Sequence, residues 1–106
     1  WIDSVRVVVT DVAEAPTIPT TFALEQNYPN PFNPTTVIRG QWPVTSDVRL
    51  AAYDLLGMEV AVLANGKYPA GRYTFSFDGT KLASGMYFYR LTTGTHTFVR
   101  KMLLVR

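Results

Sequence analysis

The stretch Asn27–Thr36, NYPNPFNPTT, constrains this chain more than any other. Three prolines and three asparagines stand in ten residues and frame two aromatics, Tyr28 and Phe32. Each proline fixes its own φ, lacks an N–H and biases the residue before it towards extended or polyproline geometry. Asn27, Asn30 and Asn33 each precede a proline or an aromatic, as turn-forming residues do. The stretch therefore reads as a stiff strap pinned down by Tyr28 and Phe32, and not as a floppy linker.

A chain of 106 residues suits one domain with an appended tail, and 47% hydrophobic with 13% aromatic residues is enough for a real core. No apolar run approaches the ~20 residues of a membrane span, so no membrane insertion is expected. No signal peptide is in view and residue 1 is Trp, so the chain reads as a piece of something longer. Cysteine is absent, which removes disulfides, Cys–zinc sites and thiol catalysis but does not exclude export. A net charge of +2 is too small to suggest nucleic acid. The distribution says more: residues 1–20 carry −2 (Arg6 against Asp3, Asp11 and Glu14), and residues 21–106 carry +4 (nine basic, five acidic).

Trp1–Asp11, WIDSVRVVVTD, has the β-branched content of a strand, either from a preceding domain or added to an edge of the sheet that follows. Val12–Thr21 has no periodicity and two prolines, and reads as a linker. From Phe22 to Arg106, short strands recur with turn signals between them. The expected strands are Thr36–Trp42, Asp47–Asp54, Glu59–Leu63, Arg72–Asp78, Met86–Thr93 and Thr97–Val105. Tyr73, Phe75 and Phe77 alternate with Thr74 and Ser76, the cleanest period of two in the chain. Those three, with Leu50, Tyr87, Tyr89 and Leu91, are the expected core; Trp42 shares the face of Ile38, and Leu82 plugs the core's end. Asp54-Leu55-Leu56-Gly57 suits a type I turn closed by a glycine at positive φ. Gly85 and Gly94 are further structural turn positions, as is Asp78 before Gly79; Thr93-Gly94-Thr95 joins the last two strands. No window shows an amphipathic helix. The fold class that follows is all-β, an antiparallel sandwich of about six to seven strands, because one sheet cannot bury both aromatic faces.

The residues offer little for catalysis. The one histidine, His96, sits beside a hairpin turn and reads as solvated. No serine stands in a nucleophile elbow. Asp47, Asp54 and Asp78 lie at strand ends, where aspartate accepts local backbone hydrogen bonds. No His/Cys/Asp/Glu grouping has metal-ligand spacing, so no metal or cofactor is expected beyond opportunistic calcium at Asp54 or Asp78. Carbohydrate is the serious alternative, through Trp1, Tyr28, Tyr53 or Tyr68 as stacking platforms. Arg100, Lys101 and Arg106 form a small basic cluster without the interleaved aromatics of a single-strand nucleic-acid binder.

Four motifs in order carry a family resemblance: Asn27–Phe32, YDLLG at Tyr53–Gly57, LASGMYFYRL at Leu82–Leu91 and RKMLLVR at Arg100–Arg106. Over Phe22–Arg106 the chain resembles the C-terminal sorting domain of the type IX secretion system, itself similar to the immunoglobulin-like domain of flagellar hook-capping proteins. It departs from that pattern at Gly40, where a bulky residue is usual, so that Trp42 fills a gap or the strand bulges, and mildly at Phe77, where tryptophan is common. The resemblance implies a monomeric, non-catalytic immunoglobulin-like module at the end of an N-terminal cargo. Its implied partners are the outer-membrane translocon and a sortase-like protease, and its route runs through the periplasm to the cell surface or outside. The implied recognition segment is Arg100, Lys101, Met102, Leu103, Leu104, Val105 and Arg106. For Arg100-Lys101 to reach water together, that strand needs a bulge or an edge position. The competing reading is an accessory immunoglobulin-like spacer or carbohydrate-binding module of a secreted enzyme.

Overall fold

The computed structural model describes residues 18–106. The expected strand Trp1–Asp11 and most of the expected linker Val12–Thr21 lie outside the described residues. Seven strands follow: β1 (Ala23–Leu24), β2 (Thr35–Trp42), β3 (Ser46–Tyr53), β4 (Glu59–Tyr68), β5 (Gly71–Asp78), β6 (Gly85–Thr92) and β7 (Thr97–Leu104). They form a three-stranded sheet in the order β1-β2-β5 and a four-stranded sheet in the order β4-β3-β6-β7, with every strand pair antiparallel. The architecture is the all-β sandwich that the alternation of Tyr73/Phe75/Phe77 and Tyr87/Tyr89/Leu91 calls for.

Alternation decides which side chains enter the core. On β2, Ile38 and Trp42 point in; on β3, Val48, Leu50 and Ala52; on β6, Tyr87, Tyr89 and Leu91; on β7, Met102 and Leu104, all buried. β5 departs from the expectation in degree. Phe77 is buried, whereas Tyr73 and Phe75 are only partly so, because β5 is an edge strand and its N-terminal half meets an aromatic cluster instead of a full layer. Trp42 stacks on Tyr73 at 4.6 Å between centroids, and Tyr68 meets Trp42 and Tyr73 edge-on at 6.0 and 5.4 Å. Tyr68 is therefore a packing residue, not one of the unoccupied rings expected from sequence. The polar tips of these rings are satisfied: Trp42 Nε1 and the more exposed Tyr73 Oη donate to the Pro69 carbonyl, Tyr87 Oη to that of Ala83 and Tyr89 Oη to that of Glu25.

Gly40 leaves the gap that Trp42 fills. A Cβ there would lie 3.5 Å from Trp42 Cζ3, and the β2–β5 register runs unbroken through it, so no bulge forms. β4 is longer than expected, and its pairing with β3 shifts register twice, at Leu50/Ala51 and Ala52/Tyr53. The β3–β4 turn is the expected one. Gly57 N–H donates to the Asp54 carbonyl at 3.0 Å, Gly57 sits at φ 85°, and Asp54 Oδ1 accepts from the N–H groups of Leu56 and Met58. Gly85 also has positive φ, at 150°, but Gly94 does not.

Candidate functional site

The segment that resemblance singles out, Arg100–Arg106, is built into the fold. β7 is the outermost strand of the four-stranded sheet, paired with β6 from Gly85↔Leu104 to Thr92↔Thr97 without interruption. The bulge that sequence allowed is therefore absent, and the edge position lets Arg100 and Lys101 both reach solvent. Met102 and Leu104 turn inward and are buried; Lys101 and Leu103 turn outward, Lys101 exposed and Leu103 half-buried.

The outer edge of β7 is where the proline-rich strap comes to rest. From Glu25 to Tyr28 the strap runs along β2: Glu25 N–H donates to the Arg39 carbonyl, and Tyr28 and Val37 exchange both backbone bonds. After Tyr28 it crosses to the other sheet. Phe32 forms a parallel bridge with Leu104, its N–H donating to the Leu103 carbonyl and its carbonyl accepting from the Val105 N–H, each at 2.9 Å. Asn30 Oδ1 accepts the Leu103 N–H at 3.0 Å, and Gln26 Nε2 donates to the Lys101 carbonyl at 2.6 Å. An exposed strand edge templates unwanted pairing; over Lys101–Val105 the strap occupies these backbone groups.

The strap itself is held at two points. Phe32 is buried against Phe77, edge-on at 5.9 Å. Tyr28, the other expected anchor, is 75% exposed; its backbone alone pairs with Val37. Its place is taken by Asn27, 2% exposed, whose Nδ2 donates to the Pro29 carbonyl and to Thr36 Oγ1 and whose Oδ1 accepts from Gln26. The X–Pro bonds before Pro29, Pro31 and Pro34 are cis. The capping roles of Gln26, Asn27 and Asn30 escape sequence reading; the pointer to the two asparagines was their three-residue spacing, which is also what turns require, and nothing local pointed to Gln26.

Two of the three cations of the basic cluster are structural. Arg100 Nε donates to the Leu24 carbonyl at 3.0 Å. Arg106 Nη2 reaches the carbonyls of Gly79 at 2.7 Å, Leu82 at 2.5 Å and Thr80, clamping the β5–β6 connection. Gly79 is fixed there by close approach: a Cβ would stand 3.0 Å from Leu104 Cδ2 and 3.3 Å from the Pro34 carbonyl. In the same loop the Thr80 hydroxyl and N–H bind Asp78, and with Arg106 and Lys81 nearby hold its carboxyl below the ordinary range. Lys101 is the cation whose side chain makes no such contact.

The remaining candidates disperse. His96 is exposed, but its ring stacks on Phe22 at 4.0 Å and its Nδ1 meets Thr95 Oγ1 at 2.8 Å. Asp47 lies 3.8 Å from Lys67. No cluster of three or more His, Cys, Asp or Glu stands among the described residues. Tyr28, Tyr53 and Tyr68 lie on the strap, on the outer face of β3 and in the aromatic cluster, so they form no shared platform; Trp1 lies outside the described residues. No helix among the described residues is long and apolar enough to cross a membrane.

A family model described as the secretion system C-terminal sorting domain matches residues 26–105, from the start of the strap to the end of the terminal strand. No curated protein matches the chain.

Proposed function

The chain belongs to the family of secretion system C-terminal sorting domains, the sorting modules of type IX secretion, and on that premise we propose that it directs an attached N-terminal cargo through the outer-membrane translocon to the cell surface. The module is non-catalytic: it is read, then either left in place or removed by a sortase-like protease. The observation that carries this reading is the span of the family match, which takes in both the strap and the terminal strand that the strap covers.

The signal is conformational. Met102 and Leu104 act from inside, by holding β7 in register; Arg100 and Arg106 act by tying backbone carbonyls. Lys101, Leu103 and Val105 are the part of the segment that a partner meets. A disordered tail would offer the same letters without a fixed surface and would be open to proteolysis in the periplasm.

A reporter fused to residues 22–106, expressed in a host with and without the translocon, tests the role: it is expected outside the cell only when the translocon is present. Lys101→Gln in that fusion is expected to lower export while leaving the melting temperature unchanged. Equal export with and without the translocon would overturn the reading.

A further inference from the structure

Two leucines stand where the turn asks for no apolar side chain. Asp54 and Gly57 fix the β3–β4 turn, and the two positions between them need only ordinary turn backbone, which polar residues adopt as readily. Yet Leu55 is 66% exposed, Leu56 86% and Met58 64%. Scattered exposed hydrophobics are normal, but these adjoin a face. Strand register places Phe88 beside Tyr53, and Arg90 between Ala51 and Val99, on the outer surface of the four-stranded sheet; Val62 ends that row on β4. Of nine large hydrophobic residues exposed among the described residues, five (Leu55, Leu56, Met58, Val62 and Val99) belong to this face or its turn. Folding alone does not account for that concentration.

Between turn and sheet lies a groove of about 270 Å³ lined by Tyr53, Leu55, Phe88, Arg90 and Val99, with Asp54 and Gly57 of the turn at its rim. The Arg90 guanidinium lies over the Tyr53 ring, 4.8 Å from its centroid, and Nη2 donates to Tyr53 Oη at 3.0 Å. Neighbouring acids are committed elsewhere: Asp54 Oδ1 to the turn N–H groups, Glu59 to Arg49 at 2.6 Å. Among the described residues no carboxylate pairs with Arg90. Lys101 stands opposite Phe88 on the next strand, adding a second cation.

We propose that this groove, with Leu56 and Met58 beside it, is a docking surface for a protein partner presenting a carboxylate flanked by aliphatic side chains. The inference rests on the recognition role proposed above and names its surface. A guanidinium held over a tyrosine ring by one N–H keeps its other N–H groups for a carboxylate, and Tyr, Phe, Met and Arg are residue types enriched at protein interfaces. A lipid surface fits less well, because Arg90 lines the groove instead of ringing the apolar tip. The groove also joins what is separate in sequence: YDLLG, the strand Gly85–Thr92 and the residue just before the terminal motif.

The test titrates the 106-residue chain with labelled dodecapeptides that alternate glutamate with leucine, with lysine–leucine and glutamate–serine peptides alongside. The glutamate–leucine peptide is expected to bind at least about tenfold tighter than either control, with amide shifts centred on Tyr53, Leu55, Phe88, Arg90 and Val99. Arg90→Gln and the pair Leu55→Ser/Leu56→Ser are each expected to weaken it about tenfold without lowering the melting temperature. No binding, equal affinity for the lysine peptide, shifts centred elsewhere, or binding to phosphatidylglycerol vesicles but to no peptide would overturn the proposal. The same variants in the export reporter separate the two readings. Translocon-dependent export that survives all three changes refutes this surface and leaves the sorting role standing, whereas failure of the unaltered reporter refutes the role while the peptide titration still decides the surface.

Discussion

Phe32 holds Leu104 from the strand's open side. The two form a parallel bridge, with Phe32 N–H on the Leu103 carbonyl and the Val105 N–H on the Phe32 carbonyl, while both side chains are buried at 1% exposure or less. The strap thus acts on the terminal strand through backbone bonds and through the core at once. Phe32→Ala is expected to cost about 3–5 kcal/mol in chemical denaturation, the range for truncating a buried phenylalanine. Amide exchange at Leu103 and Val105 should accelerate more than exchange in the β3–β6 pairing. Uniform acceleration across both sheets would show that the strap is not specifically tied to this edge.

The two arginines and the lysine of the terminal cluster should separate by stability. Arg106→Gln removes the clamp on the Gly79–Leu82 carbonyls and is expected to cost about 1 kcal/mol, below the ~1.5–3 kcal/mol of charged hydrogen bonds because Arg106 is exposed to solvent. Lys101→Gln should stay within about 0.5 kcal/mol, as surface changes do. Thermal melts of the two single variants decide this, and equal losses would put Lys101 among the structural residues.

Gly57 provides a backbone test. At φ 85° with nothing within 4 Å of a built Cβ, the objection to a side chain is conformational and not steric crowding. Gly57→Val is expected to destabilise by more than the ~1 kcal/mol of mild glycine replacements, and Gly57→Asn by less than valine, because asparagine tolerates left-handed backbone. Urea midpoints of the two variants give the comparison; a valine no worse than asparagine would rule out the turn's demand on φ.

Burial ranks the aromatics of β5. Phe77 is 2% exposed and Phe75 only partly buried, so Phe77→Ala should fall in the range of about 3–5 kcal/mol and Phe75→Ala clearly below it. A larger loss at Phe75 would mean that the aromatic cluster around Trp42, not the inter-sheet layer, dominates the core.

Tyr89 sets an alkaline limit. Burial pushes its hydroxyl up to about 12 from an ordinary value of 10, against a smaller opposing backbone hydrogen bond from Asn27. The folded state therefore keeps this proton where the unfolded chain has lost it. The contribution is fully present below the unfolded value near 10 and is lost as pH rises towards 12. The unfolding free energy from denaturant titrations should fall across that window at up to about 1.4 kcal/mol per pH unit from this group. Tyr89→Phe should flatten that part of the slope, and an unchanged slope would assign it to other groups.

Sequence alone determined the layers of this domain and its family. Period-two alternation in β5 and β6 states which side chains need burying, and two aromatic faces require two sheets. Asp54 with Gly57 specifies a turn from local chemistry alone, and those signals lie within a few residues of each other. The outcome was undecided wherever the partner lies far along the chain. That Asn27 and not Tyr28 anchors the strap depends on Thr36 and Pro29 closing around the amide. That Arg100 and Arg106 are spent on carbonyls depends on Leu24 and Gly79, 76 and 27 residues away. The segment read as a recognition tail gives two of its seven residues to the core, because pairing with β6 turns Met102 and Leu104 inward. The groove beside Arg90 exists only once β3, β6 and β7 lie side by side: a strand's own residues fix which faces it has, and only its neighbours fix what those faces meet.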